Sequence, residues 1–287
     1  MTSNKEYPMF VRALQYTLAL ALFTFAGPSL AAKLTPEDYQ RVVNEAYAKY
    51  KGVKEGANAD YIPILATVPS EMFGVVIITR EGEVYSAGEL DYEFSIQSVS
   101  KPFTASLIMQ EQGPKTLREK IGVEPTGLPF NSKIALEIYE ERSVNPLVNA
   151  GAIAAVSLVE ASSEKDRWKK VLGNIEDYAG RDLKVLEEVY DSEYETAWGN
   201  RAIANLLFNY GRLYSEPEEA LRVYTRQCSI GVNTKDLGVM CSTLSNEGVN
   251  TLTGKKVMEK EDVQELLAIM ATAGLYEESG EWMYSAC

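Results

Sequence analysis

Histidine does not occur in this chain of 287 residues. Its absence excludes Ser-His-Asp and Cys-His nucleophile systems, histidine-bearing zinc sites and imidazole general bases. Acid–base chemistry must then be run by carboxylates, lysine, tyrosine or cysteine. Cysteine is scarce too: Cys228, Cys241 and Cys287 form no CxxC pair and allow at most one bridge. They are expected to behave as isolated thiols, and none has an imidazole to activate it. Positive charge is also in deficit, with 28 Lys and Arg against 41 Asp and Glu, a net charge of −13. A surface that acidic repels phosphate backbones and anionic lipid, so nucleic acid is not an expected partner. What remains is ordinary globular material, 46% hydrophobic and 24% charged, enough for one large domain.

Residues 1–31 read differently from the rest. Lys5 and Arg12 precede an apolar run from Ala13 to Ala26, followed by Pro28 and the small residues Ser29, Ala31 and Ala32. A basic start, a short apolar segment and a small-residue exit predict a secretory signal peptide cut near Ala31. The run is short for a bilayer span of about 20 residues. The mature protein is therefore expected to be periplasmic or secreted, without a stable membrane anchor.

After the cut, Thr35-Pro36-Glu37-Asp38 carries the marks of a helix start: an N-cap, proline at the first helical position and acids in the first turn. Phe73 to Thr79 and Val84 to Ala87, separated by Glu81-Gly82, predict a hairpin packed on both faces. From Ser98 onward the patterns are mainly helical, including Ala202 to Tyr214, Lys235 to Leu244 and Lys260 to Ala271. No internal repeat or linker divides the chain. The expected fold class is α+β, a strand pair joined to a large helical body.

Without histidine, a serine can be activated by lysine or tyrosine. Ser-x-x-Lys places the two on one helical face, within reach of each other. Two such motifs occur, Ser98-Val99-Ser100-Lys101 and Ser162-Ser163-Glu164-Lys165. The second lies in a charged run that predicts a solvated face or turn. The first follows the strand pair and opens an apolar helix, where the serine meets free N–H groups and a positive dipole. Ser98 could equally be a simple N-cap on this evidence. For Lys101 to act as a base it must be neutral near pH 7, which from an ordinary pKa costs about 4–5 kcal/mol. A Ser/Lys/Tyr cluster sharing the proton meets that requirement better than a lone base, and 17 tyrosines leave the partner open.

Several segments occur in a recognisable order: Asp60 to Ala66 (DYIPILA), Phe94 to Lys101 (FSIQSVSK), Glu124 to Asn131 (EPTGLPFN), Asn145 to Ile153 (NPLVNAGAI), Ser192-Glu193, Gln227-Cys228-Ser229 and Gly274-Leu275-Tyr276. In these the chain, over about residues 35 to 284, resembles the serine-dependent glutaminase family. The resemblance implies a fold like serine β-lactamases and transpeptidases: a mostly antiparallel sheet with flanking helices, plus a helical subdomain. It implies hydrolysis of L-glutamine to L-glutamate and ammonia, with no metal or cofactor. Ser98 would attack the side-chain amide to give a γ-glutamyl ester, and Lys101 would take the serine proton. Tyr61 and Tyr276 match tyrosines flanking this serine, either of which could share the proton. Ser98, Asn149, Glu193, Asn200, Tyr224 and Tyr276 match positions that hold the substrate. Self-association is common in the family, so a homo-oligomer is expected.

Each residue also has a plainer reading: Asn149 as a turn residue before Gly151, Glu193 as surface, Tyr61, Tyr224 and Tyr276 as core aromatics. If their segment is one helix, Glu193 and Asn200 share a face two turns apart. The family chain runs on past the Tyr276 region into a Lys-Ser-Gly-Val segment, further strands and a terminal helix, none of which is found here. The catalytic domain, 32–287, is thus expected to be incomplete at the C-terminus and impaired in folding or activity. Two alternatives stay open: a β-lactamase or penicillin-binding enzyme, for which Ser143-Val144-Asn145 mimics a second motif, and a non-catalytic glutamine-binding protein.

Overall fold

The computed structural model describes residues 34–139 and 142–286. The expected signal peptide and Cys287 lie outside them. The chain clusters into two units, Met1–Tyr39 and Gln40–Cys287. Of the first, the described part opens helix α1 (Pro36–Tyr50). There Thr35 Oγ1 accepts the Asp38 backbone N–H at 3.2 Å and Asp38 Oδ2 accepts that of Thr35 at 3.0 Å, a reciprocal N-terminal cap.

In the second unit, strands β1 (Gly74–Ile78) and β2 (Val84–Gly88) form an antiparallel hairpin that pairs Gly74 with Gly88 and Ile78 with Val84. Three short strands follow: β3 (Phe94–Ser95), β4 (Lys184–Val185) and β5 (Ile230–Val232), in the order β3-β5-β4, all antiparallel. The helices are α2 (Lys101–Gln112), α3 (Pro114–Lys120), α4 (Ala135–Ile138), α5 (Asn149–Leu158) and α6 (Glu164–Ala179). They continue with α7 (Glu187–Thr196), α8 (Trp198–Asn209), α9 (Pro217–Cys228), α10 (Thr234–Ser245), α11 (Lys260–Ala273) and α12 (Ser279–Ala286). The α+β expectation holds.

The core lies where α2 and α5 meet α6 and α9. Helices α2 and α5 are buried on all sides over Lys101–Met109 and Asn149–Ser157, the pattern of helices enclosed by others. Ile108, Ile153 and Tyr178 are wholly inaccessible in one continuous cluster. Local signals set the helix ends. Ser163 Oγ accepts the Asp166 N–H to start α6, which Gly180 ends at φ 74, and an Asn233/Asp236 capping box starts α10.

Three expectations need correction. The hairpin is not packed on both faces: every residue of β1 is only half-buried. Helix α10 covers β1 at Gly238, where an added Cβ would come within 2.8 Å of Val76, and β1 otherwise lines an open groove of about 960 Å³. The segment containing Ala202 starts at Trp198 and stops at Asn209, because Gly211 turns the chain at φ 69. Glu193 and Asn200 do not share one helix. Ala197, at φ −72 and ψ 27, separates α7 from α8.

The start of α5 depends on a close approach to the loop before it. A Cβ on Gly151 would lie 1.7 Å from the Asn145 carbonyl oxygen, and Asn145 Oδ1 caps the N–H groups of Leu147 and Val148 at 3.0 and 3.2 Å. Gly151→Ala is therefore expected to destabilise the protein by about 2 kcal/mol or more, read in chemical denaturation. An unchanged midpoint would contradict this packing.

Candidate active site

Ser98 lies in a 3₁₀ turn, Gln97–Ser100, that runs directly into α2. The residue before it, Gln97, has φ 50, a left-handed conformation costly for a side chain with a Cβ. Strand β3 and the Ile96 N–H, which donates to the Ile230 carbonyl at 2.8 Å, tie this approach to β5. One turn on, Lys101 is 1% exposed. Its Nζ donates to Asn149 Oδ1 at 2.8 Å and to the Tyr276 hydroxyl at 3.5 Å. The Tyr276 ring, also at positive φ (54), lies 5.1 Å from Nζ, and Phe130 lies 5.8 Å away on the same ammonium. The Ser98 side chain lies close enough to the Tyr276 hydroxyl to lower its pKa against the effect of burial, so the tyrosine stands beside both serine and lysine.

Asn149, the first residue of α5, joins this triad to the rest of the site. Its Oδ1 also accepts the Tyr224 hydroxyl at 3.2 Å, and its Nδ2 donates to Asn200 Oδ1 at 2.9 Å. Beyond them Glu193 is only 6% exposed, and its Oε2 accepts Gln97 Nε2 at 3.3 Å. A cavity of about 470 Å³ is lined by Ser98, Tyr61, Asn149, Glu193, Asn200 and Tyr224 among others. Lys101 and Tyr276 are outside this lining, and Tyr276 and Ser98 together line a neighbouring cavity. All eight residues singled out in the sequence are thus gathered at one place. Asn149 and Glu193 are neither turn nor surface residues, and Tyr224 and Tyr276 are tied into the hydrogen-bond network. Tyr61 differs: it is 65% exposed and stands at the rim.

Burial sets the electrostatics. It lowers the Lys101 pKa to about 8, with Cys228 and Glu193 pulling the other way. It raises the Glu193 carboxyl to about 7, opposed by the Gln97 hydrogen bond and the Lys101 charge. Tyr224 and Tyr276 are both raised above the ordinary phenol value, chiefly by burial. Of the lysine and tyrosines near Ser98, lysine is therefore the one whose proton-accepting form is accessible near neutrality. Among the described residues no group of three or more Cys, Asp or Glu is placed to hold a metal.

Several lining residues were not singled out in advance. Gln97, Phe130 and Cys228 fell within quoted motifs without a role; Lys133 and Thr196 line the same cavity with no spacing signal to mark them. The competing motifs are structural. Ser162 is an exposed cap, its hydroxyl donating to Asp166 Oδ2 at 3.1 Å. Ser143 and Asn145 are buried outside the cavity lining, and Asn145 is occupied with loop carbonyl and amide groups.

The glutaminase family model matches residues 56–286. The chain belongs to the glutaminase family. It is 50% identical to the glutaminase of Colwellia psychrerythraea over 245 residues, covering 85% of this chain and 79% of that protein. It is 48% identical to the glutaminase of Mycobacterium ulcerans, covering 86% and 77%. A solved structure named "Probable glutaminase ybaS" superposes with a TM-score of 0.86 at 45% identity, covering 88% of this chain and 81% of that one. A structure of Mglu in its glutamate form gives 0.80 at 31% identity, covering 85% and 57%. The glutaminase fold is thus shared by chains in which two thirds of the residues differ.

A buried, charged Lys101 works against stability while it shapes the site. Below about 8 it is protonated in the folded protein; the unfolded group titrates at 10.5. Between these values the unfolded chain binds more protons, so stability rises with pH. Lys101→Met is expected to raise stability by about 1–3 kcal/mol near neutrality, after allowing for the lost hydrogen bond. The gain should shrink as the pH approaches 10.5. Denaturation curves across that range check this, and a variant less stable than the parent near neutrality contradicts it.

Proposed function

We propose that the chain hydrolyses L-glutamine to L-glutamate and ammonia through a seryl ester on Ser98. The observation that carries this is one cavity lined by Ser98, the buried Glu193 carboxylate and the Asn149 and Asn200 amides, with Lys101 hydrogen-bonded to Asn149 and to the Tyr276 hydroxyl beside Ser98. An amino acid bearing a side-chain amide fits that division. Its ammonium meets Glu193, the buried anion of the cavity lining, and its carboxylate meets the Asn200 amide with Lys133 on the same wall. The side-chain amide is then directed at Ser98. That Mglu is described in a glutamate form, the product of this reaction, supports the reading.

In the acylation step the Ser98 oxygen forms a bond to the amide carbon as its proton passes to the Tyr276 oxygen, and the Tyr276 proton passes to Lys101. The same path returns a proton to the departing nitrogen, which leaves as ammonia. Water then enters by the reverse relay and cleaves the ester. With Lys101 near 8, reaching its neutral form at neutrality costs about 1.4 kcal/mol, against 4–5 for an unperturbed amine. Tyrosine serves as a conduit, since burial disfavours its anion.

Ammonia release from L-glutamine by the purified protein is the test. Ser98→Ala is expected to lower it about 10³-fold or more, and Glu193→Gln to lower kcat/KM about 10²-fold, mainly through KM. For the parent, kcat/KM should fall as the pH drops through about 8, and more steeply below about 7, as Lys101 and then Glu193 gain protons. Activity untouched by Ser98→Ala, or hydrolysis of a chromogenic β-lactam in place of glutamine, would overturn the reading.

A further inference from the structure

Ser98 follows a residue held in an unfavourable conformation, and something must hold it there. Gln97, at φ 50, costs on the order of 1 kcal/mol or more at that position. Its side chain is tied to Ser95 Oγ at 3.1 Å and to Glu193, but its backbone has a separate tether. The Ser100 hydroxyl donates to the Gln97 carbonyl at 2.7 Å. Gln227 Nε2 donates to that hydroxyl at 3.0 Å, and Gln227 Oε1 accepts Thr104 Oγ1 at 2.5 Å. Ser100 and Gln227 are wholly inaccessible and Thr104 nearly so. None of the three lines the substrate cavity.

A serine hydroxyl has one proton and can point it in several directions. With Gln227 Nε2 donating into its lone pair, the Ser100 proton is directed to the Gln97 carbonyl. Thr104, donating to the other end of the amide, fixes which way the amide faces. Gln227 also sits at the C-terminal turn of α9, which leads directly into β5, the strand that pairs with the segment before Gln97. One stretch of chain therefore holds the approach to Ser98 twice, by its ladder and by this side chain.

We infer that Gln227 is a positioning residue for the nucleophile, acting through Ser100 to fix the backbone turn that presents the Ser98 oxygen. This rests on the glutaminase reading above and adds to it a group that touches neither substrate nor the reacting atoms. Its removal should loosen the nucleophile and leave the Asn200 end of the cavity in place, so the loss falls on kcat.

The test is steady-state kinetics of ammonia release by Gln227→Met, Ser100→Ala and the double variant, with melting curves to confirm folding. Methionine keeps the volume and removes both hydrogen bonds. Gln227→Met is expected to lower kcat about tenfold or more with KM within about twofold of the parent, and the double variant to be no worse than the poorer single one. Gln227→Glu covers the case in which methionine does not fold. A carboxylate there accepts from Ser100 and turns its proton away from Gln97, whereas a protonated carboxyl can donate as the amide does. Its kcat relative to the parent should therefore recover as the pH is lowered, which a role in packing alone would not produce. Parent-like kcat in Gln227→Met, losses that multiply in the double variant, or a Gln227→Glu ratio flat with pH would overturn the assignment while leaving the glutaminase reading intact. An inactive parent would overturn both.

Discussion

The hydrogen bond from Lys101 Nζ to Asn149 Oδ1 organises the site. An ammonium 1% exposed loses its hydration, and the deficit must be met by directed acceptors or by losing the proton. Asn149 supplies the acceptor, and its own position is fixed by the start of α5 and by its N–H donation to the Phe130 carbonyl at 2.8 Å. From that one amide the network reaches Tyr224 and Asn200 directly and, through Lys101, the Tyr276 hydroxyl beside Ser98. Burial that makes lysine costly also brings its neutral form within reach. Helix α2, buried from Lys101 to Met109, provides both part of the core and this lysine.

Backbone strain gathers at the same point. Gln97 and Tyr276 are two of the four non-glycine residues with positive φ among the described residues, and they flank Ser98 in space. A stable loop would relax to ordinary values, so these conformations persist only where surrounding contacts over-determine them. Gln97 has such contacts at its backbone and side chain. Tyr276 is held by its ring against Phe130, 5.2 Å between centroids, and by the Ser279 hydroxyl donating to its carbonyl at 3.0 Å. A hydrolase lacking imidazole depends on such placement, because lysine and tyrosine exchange protons only across short, fixed contacts.

Much of this was legible in the chain. Absence of histidine and the Ser98/Lys101 spacing pointed to a serine that lines the cavity, because an i, i+3 pair is set by local geometry alone. The helix start at Thr35 followed from its cap and acids, and the helices near Lys235 and Lys260 from their apolar stripes, which are also local signals. The strands β3, β4 and β5 were invisible, since two or three residues carry no period and exist only through pairing with distant partners. The break at Ala197 was not foreseen for a similar reason: no proline marks it, and Gly199 just beyond it sits inside the next helix. Burial of Glu193 is a tertiary outcome that its acidic neighbours disguised; only the resemblance to a known family singled it out. Gln227 lay in a recognised motif, and its contacts with Ser100 and Thr104 give it a role that spacing could not reveal.

The central claim is that Lys101 is the group whose proton is shared with Ser98, made available by burial against Asn149. Its side chain can be titrated directly by NMR of protein carrying ¹³C at the lysine ε-carbon, with Lys101→Met to assign the signal. A resonance titrating near 8, and moving upward when Asn149 and Tyr276 are altered to admit water, is the predicted result. A Lys101 signal that stays charged until about 10.5, as an exposed lysine does, would contradict the account.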